Sequence, residues 1–323
     1  MEHKDYSALP GVSWSALKDL ATSPYRFWYL HVNPNRPEPR TSPEMLFGSA
    51  LHCAILEPDQ FNERYACALS QSDFPGLLVT IDNLRQWLRD RGITPKGSLK
   101  ADIINQVRNV FEMGHAGEEP PLIWDLMVEA HGQENTGKVQ FQKDDWTRIT
   151  NCAASLRDEP QMQELLKEGE AEVWLEAKDP ETGVLLRGLL DWVTPEYTLD
   201  IKTYQQTRES QSIDKTISNA LWYNGYINQL YLYTMLRDLN GQHGHHPVIG
   251  FIESQPPHEA RIKTFGPKVG GTASQYWITS RFEVRRLIQL YAACVERYGD
   301  KPWREPRMIE TITDEDLPMQ AWS

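Results

Sequence analysis

The sequence predicts an α/β core, and three observations lead there. Residues 13–56 carry apolar residues at helical spacings. Residues 171–203 switch to short apolar runs broken by a turn. After residue 213, long helical patterns flank two further short apolar runs.

Taken in order, residues 13–30 read as a first helix. Ser13 is placed as N-cap, Leu17, Leu20, Phe27 and Leu30 recur on one side, and Pro24 kinks or divides it. Asn33 to Arg40 carries three prolines and reads as a loop. A second helix is expected from Glu44 to Leu56. Thr80 to Ile93 reads as a capped helix that stops at Gly92, and Thr94 to Leu99 as an extended connection. Another helix follows from Lys100 to Val110. Residues 114–137, rich in glycine and proline, read as a linker with a short amphipathic piece at 122–130. Asp144 to Glu168 is helical in pattern. Ala171–Ala177, Val184–Trp192 and Thr198–Thr203 read as strands, with Asp179-Pro180-Glu181-Thr182-Gly183 as a turn. One long helix is expected over Ile213–Leu239, a strand pair at Val248–Ser254 and Glu259–Thr264, and a last helix over Thr272–Tyr298.

In domain terms, residues 1–75 form an N-terminal helical part and 76–112 a helical insertion. Residues 113–137 form the linker and 138–323 the main core. The 40 % hydrophobic and 24 % charged content is that of a globular protein. Four widely spaced cysteines, with no CxxC pair, argue against a zinc ribbon, a disulfide framework and a clustered iron–sulfur site. The opening Met1-Glu2-His3-Lys4-Asp5 lacks the apolar core of a signal peptide, and no apolar run reaches membrane-spanning length, so a cytoplasmic protein is expected. The net charge of −12 opposes whole-surface binding to nucleic acid but leaves room for a local basic channel.

The chemistry concentrates in Asp191, Asp200 and Lys202. Two strands joined by a turn near Pro195 bring the aspartates to one sheet edge, where paired carboxylates suit a hard divalent cation. Lys202 shares a strand face with Asp200, because side chains alternate with period two. A lysine there can orient an attacking water and stabilise developing charge. A bare pair of aspartates at strand ends is more often a pair of turn formers.

The surrounding motifs change that balance. Gly188-Leu-Leu-Asp191, Asp200-Ile201-Lys202-Thr203 and Gln229-Leu-Tyr-Leu-Tyr233 resemble the G-x-x-D, D-x-K and Q-x-x-x-Y series of RecB-like nucleases of the PD-(D/E)xK superfamily. Phe47-Gly48-Ser49-Ala50-Leu51-His52 is similar to their G-x-x-x-H helix, and Ser23-Pro24-Tyr25-Arg26-Phe27 to their short N-terminal segment. Gly11 to Ser15, Leu51 to Pro58 and Asp179 to Gly183 resemble nuclease domains of the exonuclease VIII (RecE) type.

The resemblance implies a PD-(D/E)xK core, a central mixed sheet flanked by helices. It implies His52, Asp191 and Asp200 as metal-binding groups for Mg²⁺, with Mn²⁺ substituting. Ile201 is counted among the metal positions, and Lys202 positions the water. Gln229 and Tyr233, one helical turn apart, support the site or touch the DNA backbone; a plain helix–sheet packing role is as well founded. Glu172 is a second-metal ligand or a solvent-facing strand residue. Aspartate replaces the glutamate that many members carry at position 200, which keeps the carboxylate.

The 80–110 segment places Leu84, Trp87, Leu88, Ile93, Leu99, Ile103, Ile104 and Val107 on two helices and their connection, a pattern similar to a SAP or helix–extended-loop–helix unit. Arg85, Arg89, Arg91, Lys96, Lys100 and Arg108 outnumber Asp82, Asp90 and Asp102, as phosphate contact requires. A hairpin that packs on the core is the alternative. His243-Gly244-His245-His246 reads as a polar loop without an obvious third ligand.

By resemblance, the expected activity is 5′-to-3′ digestion of double-stranded DNA ends. The resulting 3′ single strands would serve a RecT-like annealing protein in phage-type recombination. A homo-oligomeric ring, tetrameric in one form, and a bacterial or phage-infected host cell complete the expectation. A structure- or sequence-specific endonuclease of the same fold is the first alternative. A non-catalytic DNA-binding or nuclease-inhibiting protein is the second.

Overall fold

In the computed structural model, residues 10–38, 41–114, 119–206, 211–265 and 275–304 are described. Seven strands occur among them: β1 (Tyr65–Cys67), β2 (Val139–Phe141), β3 (Glu170–Lys178), β4 (Leu185–Val193), β5 (Tyr197–Tyr204), β6 (His246–Glu253) and β7 (Ala260–Thr264). The chain divides into two units. One comprises Met1–Ser42, Glu159–Glu253 and Ala260–Ser323, the other Pro43–Asp158 and Ser254–Glu259.

The first unit is built on a five-stranded sheet in the order β3-β4-β5-β6-β7. Only β5 and β6 run parallel, so the sheet is mixed, as expected. Parallel neighbours need a long crossover. Here it is two helices, Ile213–Tyr223 and Tyr226–Leu239.

The single long helix expected over this stretch is therefore broken at Asn224-Gly225. Gly225 adopts a left-handed conformation (φ 69°), and a Cβ there would lie 2.8 Å from the Trp14 ring. Tertiary approach of that indole, with a residue free to take positive φ, ends the first helix and starts the second.

Helices Trp14–Thr22, Tyr226–Leu239 and Gln275–Tyr298 bury Leu17, Leu20, Leu232, Leu236, Leu287 and Ile288 with Leu186 and Leu190 of β4. A second cluster joins Tyr204 of β5 and Ile249 and Phe251 of β6 to Ile217, Leu221, Ile227 and Leu230 of the crossover helices. Arg237 is fully buried and ties its helix to the turn between β4 and β5. Its guanidinium donates to the Thr194 and Tyr197 carbonyls and to the Thr198 hydroxyl, each at 2.8 Å. A charge buried this way is costly unless its donors are used; with Nε donating to Gln242 Oε1 at 2.9 Å, four of its five N–H groups are bonded.

The expected first helix is divided. Ser13 caps it as foreseen, it ends at Thr22, Pro24 opens a second short helix to Phe27, and a π turn covers Trp28–Val32. The expected 144–168 helix is likewise split, into Lys143–Asp158 and Pro160–Leu165, because proline cannot donate within a continuing helix. The last helix is seen from Gln275; its expected start at Thr272 lies outside the described residues, as do Met1–Asp5 and the end of the proline-rich loop.

In the second unit, helix Pro43–Leu56 packs on Lys143–Asp158, beside the small parallel pair β1-β2. Helices Ile81–Arg89 and Lys100–Gly114 form their own cluster through Leu84, Leu88, Ile103, Ile104 and Val107, closed by Ile123. Thr80 and Asn83 make a reciprocal cap at the first of these helices, and Gly92 (φ 74°) follows it. Leu99 does not join the apolar set: it is 66 % exposed, in the connection just before the second helix. Among the described residues, no helix is long and apolar enough to cross a membrane.

Candidate active site

Asp191 and Asp200 stand on neighbouring antiparallel strands. The ladder between β4 and β5 pairs Trp192 with Leu199 and Val193 with Thr198, and the same register continued sets Asp191 opposite Asp200. Asp191 is buried, and its Oδ2 accepts the Ile201 backbone N–H at 2.7 Å. The first carboxylate is thus fastened to the main chain between Asp200 and Lys202. Ile201 itself is buried in the sheet.

Asp200 is fully buried; the Lys202 ammonium donates to its Oδ1 at 2.9 Å and lies in ion-pair contact with Oδ2 at 2.7 Å. Burial alone would lower the Lys202 pKa. The Asp200 and Asp191 carboxylates outweigh burial and raise it, so the side chain is a fixed cation at neutral pH. The Tyr226 ring, 5.4 Å from Nζ, adds a face that favours the cation. Burial pushes the Tyr226 hydroxyl pKa up, so that ring remains neutral.

Glu172 enters from β3. It is half-buried and is one of two non-glycine residues described at positive φ (53°). The β3–β4 ladder pairs Ala171 with Trp192 and Val173 with Leu190 and skips the position between. That skipped position is Glu172 opposite Asp191. Strain of this kind costs on the order of 1–3 kcal/mol and persists where surrounding structure imposes it. Its result is chemical: ligand oxygens of Glu172 and Asp191 lie within 4.8 Å of each other. Two oxygens sharing Mg²⁺ at bonds near 2.1 Å span up to about 4 Å, so this carboxylate pair fits a hard divalent cation after slight closure.

Gly188 explains a different part of the motif series. Its backbone is ordinary, yet a Cβ there would meet Tyr233 Cε1 and Leu236 Cδ1 at 2.9 Å. The glycine lets helix Tyr226–Leu239 rest directly on β4, three residues from Asp191. Tyr233 is buried against it, and its hydroxyl accepts from Gln229 Nε2 at 2.7 Å. Gln229 and Tyr233 therefore bond to each other, on a helix that also carries Tyr226 to Lys202.

The remaining expected site residues lie in the second unit. His52 is half-buried on helix Pro43–Leu56. Arg89, Arg91, Lys96 and Arg108 are exposed. Arg85 and Lys100 are half-buried, Arg85 bonded to the Gly97 carbonyl and Lys100 paired with Asp125 at 2.6 Å. In the polar histidine loop, His243 lies 3.2 Å from Asp238, and His245 is buried.

Tyr226 was not singled out from the sequence. The available signal was its place three residues before Gln229, on the same helical face. The twist at Glu172 left no signal, since neither glycine nor asparagine marks it.

The match to known families decides the kinship. Residues 13–302 match the model of a PDDEXK-like domain of unknown function (DUF3799). The chain belongs to this PDDEXK-like family. No curated protein matches. Among solved structures, a candidate exonuclease from Eubacterium rectale is 11 % identical with a TM-score of 0.37, covering 78 % of this chain and 98 % of its own. The protein SSO0001 is 13 % identical with a TM-score of 0.25, covering 60 % and 87 % respectively. Family membership and the mixed sheet together establish a PDDEXK-like nuclease fold with an acidic pair suited to a metal.

Proposed function

We propose that this protein is a divalent-metal-dependent exonuclease of double-stranded DNA. The observation that carries the reading is the convergence of Asp191 on the backbone of the Asp200–Lys202 segment, with Lys202 held as a cation beside both carboxylates. The carboxylates of Asp191, Asp200 and Glu172 would hold Mg²⁺ or Mn²⁺, with Ile201 beside them and His52 assigned to the same role by its motif. The metal, when bound, supplies Lewis-acid activation of the scissile phosphate and of water.

The chain's own groups do the rest. Lys202, within hydrogen-bonding range of Asp200, is placed to orient the attacking water and to offset negative charge building on the phosphoryl oxygens. Asp191 fixes where the Asp200–Lys202 strand segment sits, through its bond to Ile201. Gln229 and Tyr233 hold the helix that brings Tyr226 to the lysine.

The proposed polarity is 5′ to 3′, leaving a 3′ single strand for a RecT-like annealing partner in recombination within a bacterial or phage-infected cell. This rests on the resemblance of the motif series to nuclease domains of the exonuclease VIII type. The same basis supports a ring-forming homo-oligomer, and the exposed cations Arg89, Arg91, Lys96 and Arg108 support contact of a SAP-like insertion with the duplex backbone. The test compares linear with covalently closed circular duplex, with Mg²⁺ and with chelator. Metal-dependent loss of linear DNA alone is expected. Cleavage of the closed circle identifies an endonuclease instead, and DNA binding without hydrolysis in either metal identifies a non-catalytic protein.

A further inference from the structure

Beside the candidate site lies a cavity of about 410 Å³, within the size range of small-ligand sites. It is lined by one side of helix Ile213–Tyr223 from Lys215 onward, Ile227, Phe265 and Tyr276 at the start of helix Gln275–Tyr298. Its rim is aromatic and unusually open to solvent: Trp222 is 57 %, Tyr223 79 % and Tyr276 58 % exposed. Large aromatic side chains normally spend their area in a core or at an interface. Trp222 and Tyr276 meet edge to face, with centroids 5.9 Å apart, and both keep more than half of their surface open to solvent.

The polar lining has a definite character. Lys215 and Asn219 face the same cavity, and no carboxylate lines it among the described residues. The nearest acid in sequence, Asp214, is neutralised by Lys263 at 2.7 Å. In a chain of net charge −12, a cavity offering one lysine, one amide and three open rings suits a ligand with an anionic part and a flat part.

The cavity adjoins the candidate chemistry through two packed contacts. Tyr204 shares its β5 face with Lys202 and Asp200, two and four residues back, and packs against Ile217 and Leu221 on the helix that carries Trp222. Tyr226, over Lys202, sits between Tyr223 and Ile227, which both line the cavity.

We propose that this cavity is a nucleobase-stacking subsite for single-stranded DNA, with Trp222 and Tyr276 as the platform and Lys215 at the phosphate. The proposal rests on the nuclease reading for its choice of ligand. Aromatic stacking tolerates any base, as an enzyme that moves along a strand requires.

The test is fluorescence anisotropy with a labelled oligothymidylate in chelator, so that nothing is hydrolysed. Trp222→Ala is expected to raise Kd by about tenfold, the scale of losing one stacked base, while Trp222→Phe keeps affinity near wild type. An abasic strand with the same number of phosphates should bind wild type as weakly as the base-bearing strand binds Trp222→Ala. Equal affinity of wild type and Trp222→Ala overturns the subsite. So does equal binding of abasic and base-bearing strands, or no binding of either by wild type. Changed self-association in Trp222→Ala with unchanged Kd also overturns it and assigns the surface to a second copy of the chain. Hydrolysis by wild type and Asp200→Ala with metal is scored separately, so the nuclease reading can fail while base-dependent binding stands.

Discussion

Replacing Gly188 by alanine tests whether the site depends on helix Tyr226–Leu239 lying directly on β4. The added methyl would meet Tyr233 Cε1 and Leu236 Cδ1 at 2.9 Å, whereas carbon atoms rest comfortably at about 3.5–4.0 Å. Each contact must therefore open by roughly 0.6–1 Å. Leu236 can change rotamer, but the Tyr233 ring is buried and its hydroxyl is bonded to Gln229, so the ring cannot turn aside freely. Overpacking of this kind costs about 1–3 kcal/mol. In domains of 150–250 residues about 2 kcal/mol lowers Tm by roughly 4–8 °C. Because the same helix places Tyr226 over Lys202, kcat should fall more than KM changes. Thermal melts and single-turnover hydrolysis of Gly188→Ala, Tyr233→Ala and the double variant measure both effects. The double variant should recover part of the lost stability, since removing the ring makes room for the methyl. A Gly188→Ala protein that melts within a degree of wild type and cuts DNA at the wild-type rate refutes the close-packing argument.

Two further outcomes follow from strain and from burial. Glu172→Asn keeps a residue that tolerates positive φ while removing a carboxylate beside Asp191, so it should gain about 1 kcal/mol of stability without metal. It should also lose much of the rise in Tm that Mn²⁺ gives wild type, and an unchanged Mn²⁺ shift would remove Glu172 from the metal set. Burial, aided by Arg237, lowers the His245 pKa from 6.5 to about 4, so the folded protein binds fewer protons than the unfolded chain between those values. Stability should therefore rise with pH through that window, by about 3 kcal/mol at full extent, and be lost as pH falls from about 6.5. Chemical denaturation of His245→Asn across pH 4–7 should show a flatter profile; an identical slope rejects a neutral buried histidine.

The strands that carry the chemistry were legible because their signals are local. Val184 to Trp192 and Thr198 to Thr203 combine apolar runs with turn residues, and each bound of β4 and β5 falls one residue from those expected. The parallel pairing of β5 with β6 was not read from the sequence, although a long helical stretch between two strands is what such a crossover needs. The break at Gly225 was not read from the sequence, although the six-residue step from Leu221 to Ile227 leaves helical spacing there. Its cause, the Trp14 ring, lies more than two hundred residues away in sequence. The small pair β1-β2 gives three-residue strands, too short for a periodic signal. Asp191, Asp200 and Lys202 were found by motif, and their mutual geometry then gave each a physical task. Glu172 was readable as a carboxylate on β3, but the left-handed backbone that turns it toward Asp191 is set by the ladder around it.

The most direct test of the hydrolytic centre uses duplexes labelled at the 5′ or the 3′ end, incubated with Mg²⁺ and wild type, Asp200→Ala or Lys202→Ala. Wild type should release label first from the 5′-labelled duplex, and each variant should lose at least a hundredfold in rate, as removal of a transition-state charge donor does. Comparable digestion by all three proteins would contradict the assignment of Asp200 and Lys202 to the chemistry.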